Sequence, residues 1–274
     1  MGRKLILAAV LAAAIPATLR AQGTEADAGT DVRARVSAEL DRKIVRGFHV
    51  YGELEGRFKD NVQRINDFRV TVGTTYKVAD WFKTGAGYTF IGNVNGSSVL
   101  EPRHRIHLDG TLSFRAGDWR FSLRERLQLT HKAEDINVYQ ETRNALAVKS
   151  RVKVSWKGSR TLEPYAFFEL RNALNDPSFT ATWNTGTQRY SNVSFNGYKD
   201  LYINRYRAAA GLDWRISKQH SIEFYGFFDR YRDKEIDTNR YGSESWQENG
   251  LVLRSLTYQT GTNLTFGVAY RFAF

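Results

Sequence analysis

Residues 48–59 read Phe48-His49-Val50-Tyr51-Gly52-Glu53-Leu54-Glu55-Gly56-Arg57-Phe58-Lys59, and this stretch decides the fold class. Phe48, Val50, Gly52, Leu54, Gly56 and Phe58 fall on one parity; His49, Tyr51, Glu53, Glu55, Arg57 and Lys59 fall on the other. Successive side chains of a strand point to opposite faces, so these two sets meet different surroundings. The division recurs in Phe68, Val70, Val72, Thr74, Tyr76 and Val78 against Arg69, Thr71, Gly73, Thr75 and Lys77. It recurs again in Leu146, Val148, Ser150, Val152, Val154 and Trp156 against Lys149, Arg151, Lys153, Ser155 and Lys157. Helical periodicity is nearly absent.

Outward from there, further alternating runs lie near 32–43, 82–92, 103–115, 119–130, 162–173, 201–216, 221–232 and 262–274, about eleven in all. Tight turns near Val45 to Gly47, Ala79 to Asp80, Ala116 to Asp118, Lys157 to Arg160 and Ser217 to His220 alternate with longer polar segments. Those segments are Asn93 to Glu101, His131 to Thr142, Asp176 to Lys199 and Asp233 to Thr260. Short turns at one end and long loops at the other describe an antiparallel transmembrane β-barrel of the bacterial outer membrane, turns in the periplasm and loops outside. Bacterial single-chain barrels normally have even strand numbers. The expectation is therefore twelve strands, with ten as the alternative, unless residues 22–31 rise through the lumen.

The start of the chain agrees with export. Met1, Gly2, Arg3 and Lys4 precede an apolar stretch from Leu5 to Leu19, which ends in Arg20-Ala21 before Gln22. This reads as a signal peptide over residues 1–21, leaving 22–274 as the barrel. The apolar stretch falls short of the roughly 20 residues a spanning helix needs. Removing it takes away Arg3, Lys4 and Arg20 and no acid, which lowers the formal charge from +11 to +8. Such a charge suits anionic solutes or lipopolysaccharide, and an exported location leaves no role for nucleic acid. With no cysteine there is no disulfide framework and no thiol chemistry.

Alternation alone does not separate a lipid-facing barrel from a soluble one with an apolar interior. Four tryptophans, Trp81, Trp119, Trp156 and Trp214, lie within a few residues of tight turns, as an aromatic girdle at one membrane interface requires. The last run places Leu264, Phe266, Val268, Tyr270, Phe272 and Phe274 on one face. With Phe272 and Phe274 at its end, that run resembles the insertion signal that outer-membrane proteins present to the barrel assembly machinery. The stretches Arg35-Val-Ser-Ala-Glu-Leu-Asp41, Gly117 to His131, Arg143 to Arg151 and Glu163 to Asn172 resemble an uncharacterised outer-membrane barrel family common in Bacteroidetes, known by a domain-of-unknown-function label. The resemblance implies the fold and the location, and no substrate or catalytic residue.

The polar strand faces carry a row of cations. Arg103, Arg105, Arg124, Arg126, Lys149, Arg151, Lys153, Arg205 and Arg207 are the candidate selectivity residues, and the acids among them are chiefly Glu39, Asp41, Glu53, Glu55, Asp109 and Asp213. If that face lines a lumen, its positive field concentrates anions, the basis of charge selectivity in a porin-like pore. The same side chains can instead fill a narrow lumen as a salt-bridged plug, leaving a sealed structural or surface-binding barrel.

An esterase or phospholipase would need a serine within reach of one of His49, His104, His107, His131 or His220, and no spacing singles one out. The pair Glu53 and Glu55 reads as salt-bridge partners rather than glycosidase carboxylates. His104 and His107 point to opposite strand faces, so no metal and no cofactor is expected. Trp183, Tyr190, Phe195 and Tyr198 either stack on sugars at the mouth or pack their loop against itself.

Overall fold

The computed structural model describes residues 24–94, 96–97, 99–239 and 250–274. The expected signal peptide, residues 1–21, lies outside the described residues. Eleven strands follow in order: β1 (Thr24–Val45), β2 (Phe48–Lys59), β3 (Arg64–Lys77), β4 (Phe82–Val94), β5 (Leu100–Ala116) and β6 (Trp119–Lys132). They continue as β7 (Asn144–Trp156), β8 (Leu162–Asn184), β9 (Arg189–Arg215), β10 (His220–Thr238) and β11 (Leu253–Ala273). Each pairs with its sequence neighbours, and β1 pairs with β11 to close the barrel.

The closure corrects two expectations. The barrel has eleven strands rather than twelve or ten, and it is not wholly antiparallel, because β1 and β11 pair in parallel, with Val36 opposite Val268 and Leu40 opposite Phe272. A parallel seam lets an odd number of strands close, which the even-number rule for all-antiparallel barrels does not anticipate. Residues 24–31 do not rise through the lumen. They extend β1 along β11 as far as Thr24 opposite Thr257, with a register shift between Asp27 and Thr30.

Five short connections gather at one end of the barrel together with Phe274, whose backbone bonds Lys43 and Asp41. The other end carries the longer strands and loops. Asp176 to Lys199 is not a loop: β8 and β9 continue through it as a hairpin, with register shifts between Arg171 and Thr182. Beyond Arg205 opposite Tyr231, β9 leaves β10. The hairpin then packs Phe179, Ala181, Tyr190 and Val193 on Ile236, Leu253 and Leu256 of β10 and β11. Trp183 meets Tyr190, and Phe195 meets Phe179, Tyr139 and Tyr198, so these rings pack among themselves. The 133–143 loop is tied to the same region by Asn137, which donates to Thr238 at 3.0 Å, and by Val138, whose carbonyl accepts from Tyr198 at 2.8 Å.

Apolar side chains face outward: Leu108 is 61% exposed and Leu54 60%. Most charged side chains of the strands face the interior. The inward tyrosines lie over glycines of neighbouring strands: Tyr225 over Gly267, Tyr165 over Gly211 and Tyr51 over Gly73. A Cβ at those glycines would run into the ring, so glycine there makes room for an aromatic lying flat on the inner wall.

Candidate functional site

The alternation that sends Leu and Val outward delivers a polar interior. A cavity of about 570 Å³ is lined from all eleven strands, and its wall carries twelve Arg and Lys side chains against eight Asp and Glu. That excess of four is half of the +8 carried by residues 22–274, so a large share of the basic charge lies where the wall encloses space.

Register sorts these charges into two neighbouring cross-strand rows. In one, Arg124 stands opposite Arg151, Arg151 opposite Glu169, Glu169 opposite Arg207 and Arg207 opposite Asp229. This row is largely compensated. Glu169 accepts from Arg124 at 3.1 Å and from Arg151 at 2.7 Å, and Asp229 takes a bidentate pair from Arg207 at 2.6 and 2.8 Å. Aromatic faces hold two of these cations and a neighbour: Arg151 sits 4.0 Å from the Phe167 ring centre, Arg207 3.9 Å from Phe227, and Lys153, beside the row, 3.6 Å from Tyr165.

The second row is different. Asp109 stands opposite Arg126, Arg126 opposite Lys149, Lys149 opposite Arg171 and Arg171 opposite Arg205. Four cations on four adjacent strands therefore span about 15 Å at roughly 4.8 Å per strand step. Only the first is neutralised in full, by Asp109 at 2.5 and 2.6 Å. Arg205 reaches Asp229 at 4.0 Å, a carboxylate already held by Arg207. Among the described residues, Lys149 and Arg171 have no carboxylate within 4.0 Å. The carboxylate whose field reaches Lys149 is Glu169, engaged by Arg124 and Arg151. The Nε of Arg205 and the Nε of Arg124 are buried without a protein hydrogen-bond partner. Like charges directly opposite on neighbouring strands destabilise a sheet. A row of four that is incompletely compensated is a local rule broken at a cost, which is expected at a functional position.

The remaining candidate residues are placed as follows. Arg103 lies near the loop end, bonded to Glu101 and to Glu134 of the 133–143 loop. Arg105 donates to Thr130 at 2.9 Å and lines the cavity. Glu55 pairs with Arg57, which also lies 3.7 Å from Asp67, and Glu39, opposite Glu53, pairs with Arg271 at 2.8 Å. Trp81, Trp119, Trp156 and Trp214 sit at the short-turn end, Trp119 directly opposite Trp156. Phe272 and Phe274 stack at the same end, 5.4 Å between ring centres.

The histidines bond to other partners than serine: His49 to Asp41, His107 to Tyr51, His104 to Tyr88, His131 to Asn144 and His220 to Tyr270. No cluster of three metal-ligating side chains occurs among the described residues.

Sequence reasoning missed Arg171, Glu169, Asp67 and Asp229. For Arg171, Glu169 and Asp229 the cause is visible in β8 and β10, which carry aromatics on both faces: Phe168 and Phe228 outward, Phe167 and Phe227 inward beneath arginines. Aromatics on both parities blur the contrast that marks a lumen row elsewhere. The signal that could have found Arg171 is its spacing of two from Glu169 and Phe167, once any one of the three is placed inside.

A family model described as "Protein of unknown function (DUF2490)" matches residues 36–241. No match to a curated protein was found.

Proposed function

The chain belongs to the DUF2490 family, a family of unknown function, and on that premise we propose that it is an outer-membrane, porin-like channel for small anionic or polar solutes. The observation that carries the reading is the row Arg126–Lys149–Arg171–Arg205, incompletely compensated positive charge on the inner wall, of which Arg126 and Lys149 line the polar cavity of about 570 Å³. Such a row of cations favours anions and disfavours cations. Its structural setting supports membrane residence: the apolar faces point outward, the tryptophans mark one end, and β2, the shortest strand at 12 residues, exceeds the roughly 9–11 that cross a bilayer. The partners that follow are membrane lipids, the barrel assembly machinery and, at the mouth, anionic solutes or lipopolysaccharide. No catalytic role is assigned.

A second reading has its own support. The compensated row and the arginine–aromatic stacks fill much of a lumen already narrower than that of porins of 16–18 strands, so a sealed structural or surface-binding barrel also fits. Conductance in planar bilayers separates the two. The channel reading expects open-channel current with anion preference, and reduced or inverted preference in Lys149→Glu/Arg171→Glu. Correctly folded protein that passes no current overturns it in favour of the sealed barrel.

A further inference from the structure

Strand β6 sends Arg124, Arg126 and Gln128 into the lumen and Leu127 and Leu129 outward. The same alternation sends Glu125 outward, midway along the strand. It stands opposite Gly110 on one side and Ser150 on the other, with Thr84 beyond Gly110. Ser150 donates its hydroxyl to Glu125 Oε2 at 2.7 Å. Thr84 is not available to it, because its hydroxyl donates to the Asp109 carbonyl at 2.9 Å. Among the described residues no partner is seen for Glu125 Oε1. The carboxyl is flanked by Leu108, Leu127 and Val152, all exposed. Beside it runs an apolar groove of about 730 Å³, walled by Val50, Val72, Ala86, Leu108, Leu127 and Leu129.

This site rests on the membrane reading above. In hydrocarbon a carboxyl group is costly and needs hydrogen-bond partners. Lipid headgroups lie about half of the 30 Å hydrocarbon thickness away, beyond its reach. What does reach that depth is another copy of the chain. Copies inserted in the same direction carry Glu125 and Ser150 at the same depth, and a twofold axis along the membrane normal brings each carboxyl to its counterpart. The small side of the notch, Gly110 and Ser150, permits close approach, and the groove accepts the partner's outward leucines.

We propose that the wall of β5, β6 and β7 around Glu125 and Ser150 is a self-association face, joining two copies of the chain through paired carboxyl and hydroxyl groups within the bilayer. The chain contains no cysteine, so single-cysteine variants report contact without background. In vesicles of defined phospholipid, Leu127→Cys should cross-link to a dimer, whereas Phe266→Cys, equally outward but on the far wall in β11, should not. Glu125→Leu should weaken association about tenfold in a single-molecule subunit count, and Glu125→Gln, which keeps hydrogen-bonding capacity, should retain most of it. Folding of each variant is checked by its heat-modifiable gel mobility.

Three results overturn the proposal: an inserted wild-type chain that remains single at all densities, equal cross-linking at Leu127→Cys and Phe266→Cys, or undiminished association in Glu125→Leu. A chain that never enters the vesicles removes the membrane reading as well, which distinguishes the two failures.

Discussion

Arg207 and Asp229 face each other across β9 and β10, joined by two hydrogen bonds of 2.6 and 2.8 Å, with Asp229 only 2% exposed. A buried pair of this kind gives modest net stability, but removing one partner strands the other. Asp229→Ala should therefore cost about 3–5 kcal/mol, because Arg207 and the nearby Arg205 lose their shared carboxylate. Replacing both members, as Arg207→Met/Asp229→Leu, should recover much of the loss. Denaturant unfolding in detergent micelles checks both, and a single variant as stable as wild type would show that water reaches the pair freely.

Glycines of the wall divide by what lies opposite. A Cβ on Gly267 would run into the Tyr225 ring, whereas one on Gly52 would meet nothing nearer than a carbonyl oxygen at 3.9 Å. Gly267→Ala should be destabilising by about 1–3 kcal/mol through overpacking. Gly52→Ala should be neutral or stabilising by up to about 1 kcal/mol, since the unfolded chain loses freedom. Unfolding midpoints of the two variants should move in opposite directions or, at the least, differ clearly.

Anion preference in the proposed channel should depend on salt. The row Arg126–Lys149–Arg171–Arg205 acts on a permeating ion through its field, and the screening length falls from about 10 Å at 0.1 M to about 3 Å at 1 M. Reversal potentials under a fixed concentration ratio should therefore report strong anion selectivity in dilute salt and weaker selectivity in concentrated salt. A preference unchanged over that range would point to size or specific contacts in place of the field.

The tryptophans make an independent test of orientation. Trp81, Trp119 and Trp214 are exposed at the short-turn end. Lipids brominated near the headgroup should quench them more than lipids brominated near the chain terminus. Stronger quenching from the bilayer centre would place that end at the wrong depth.

Much of this architecture is legible in residues 48–59 and their repeats. Where one face is Phe, Val and Leu and the other Glu, Arg and Lys, as in β2 or β7, strand, parity and lumen orientation all follow from period two. The reading weakens where the contrast fails. Thr24–Asp31 is small and polar, so the start of β1 shows no alternation, and with it the parallel seam to β11 stays hidden. Pro177, Asn184, Gly186 and Gly197 read as loop, yet the β8–β9 hairpin persists through them by accepting register shifts. Strand count is a topological property, and eleven alternating runs are compatible with closure only once the direction of the first is known. The cation row was half legible: Arg126, Lys149 and Arg205 are visible by parity, but their adjacency, and Arg171 between the last two, depends on register, which turns and bulges set and single strands do not encode.

The central claim is that one face of each strand meets acyl chains while the other encloses water, and β5 tests it within three residues. Leu108 points outward, and Thr111 lines the cavity. In membranes containing the folded chain, a charged, water-soluble thiol reagent should modify Thr111→Cys and leave Leu108→Cys untouched, whereas a lipid-soluble reagent should modify Leu108→Cys. Rapid modification of Leu108→Cys by the charged reagent, with Thr111→Cys protected, would contradict the account.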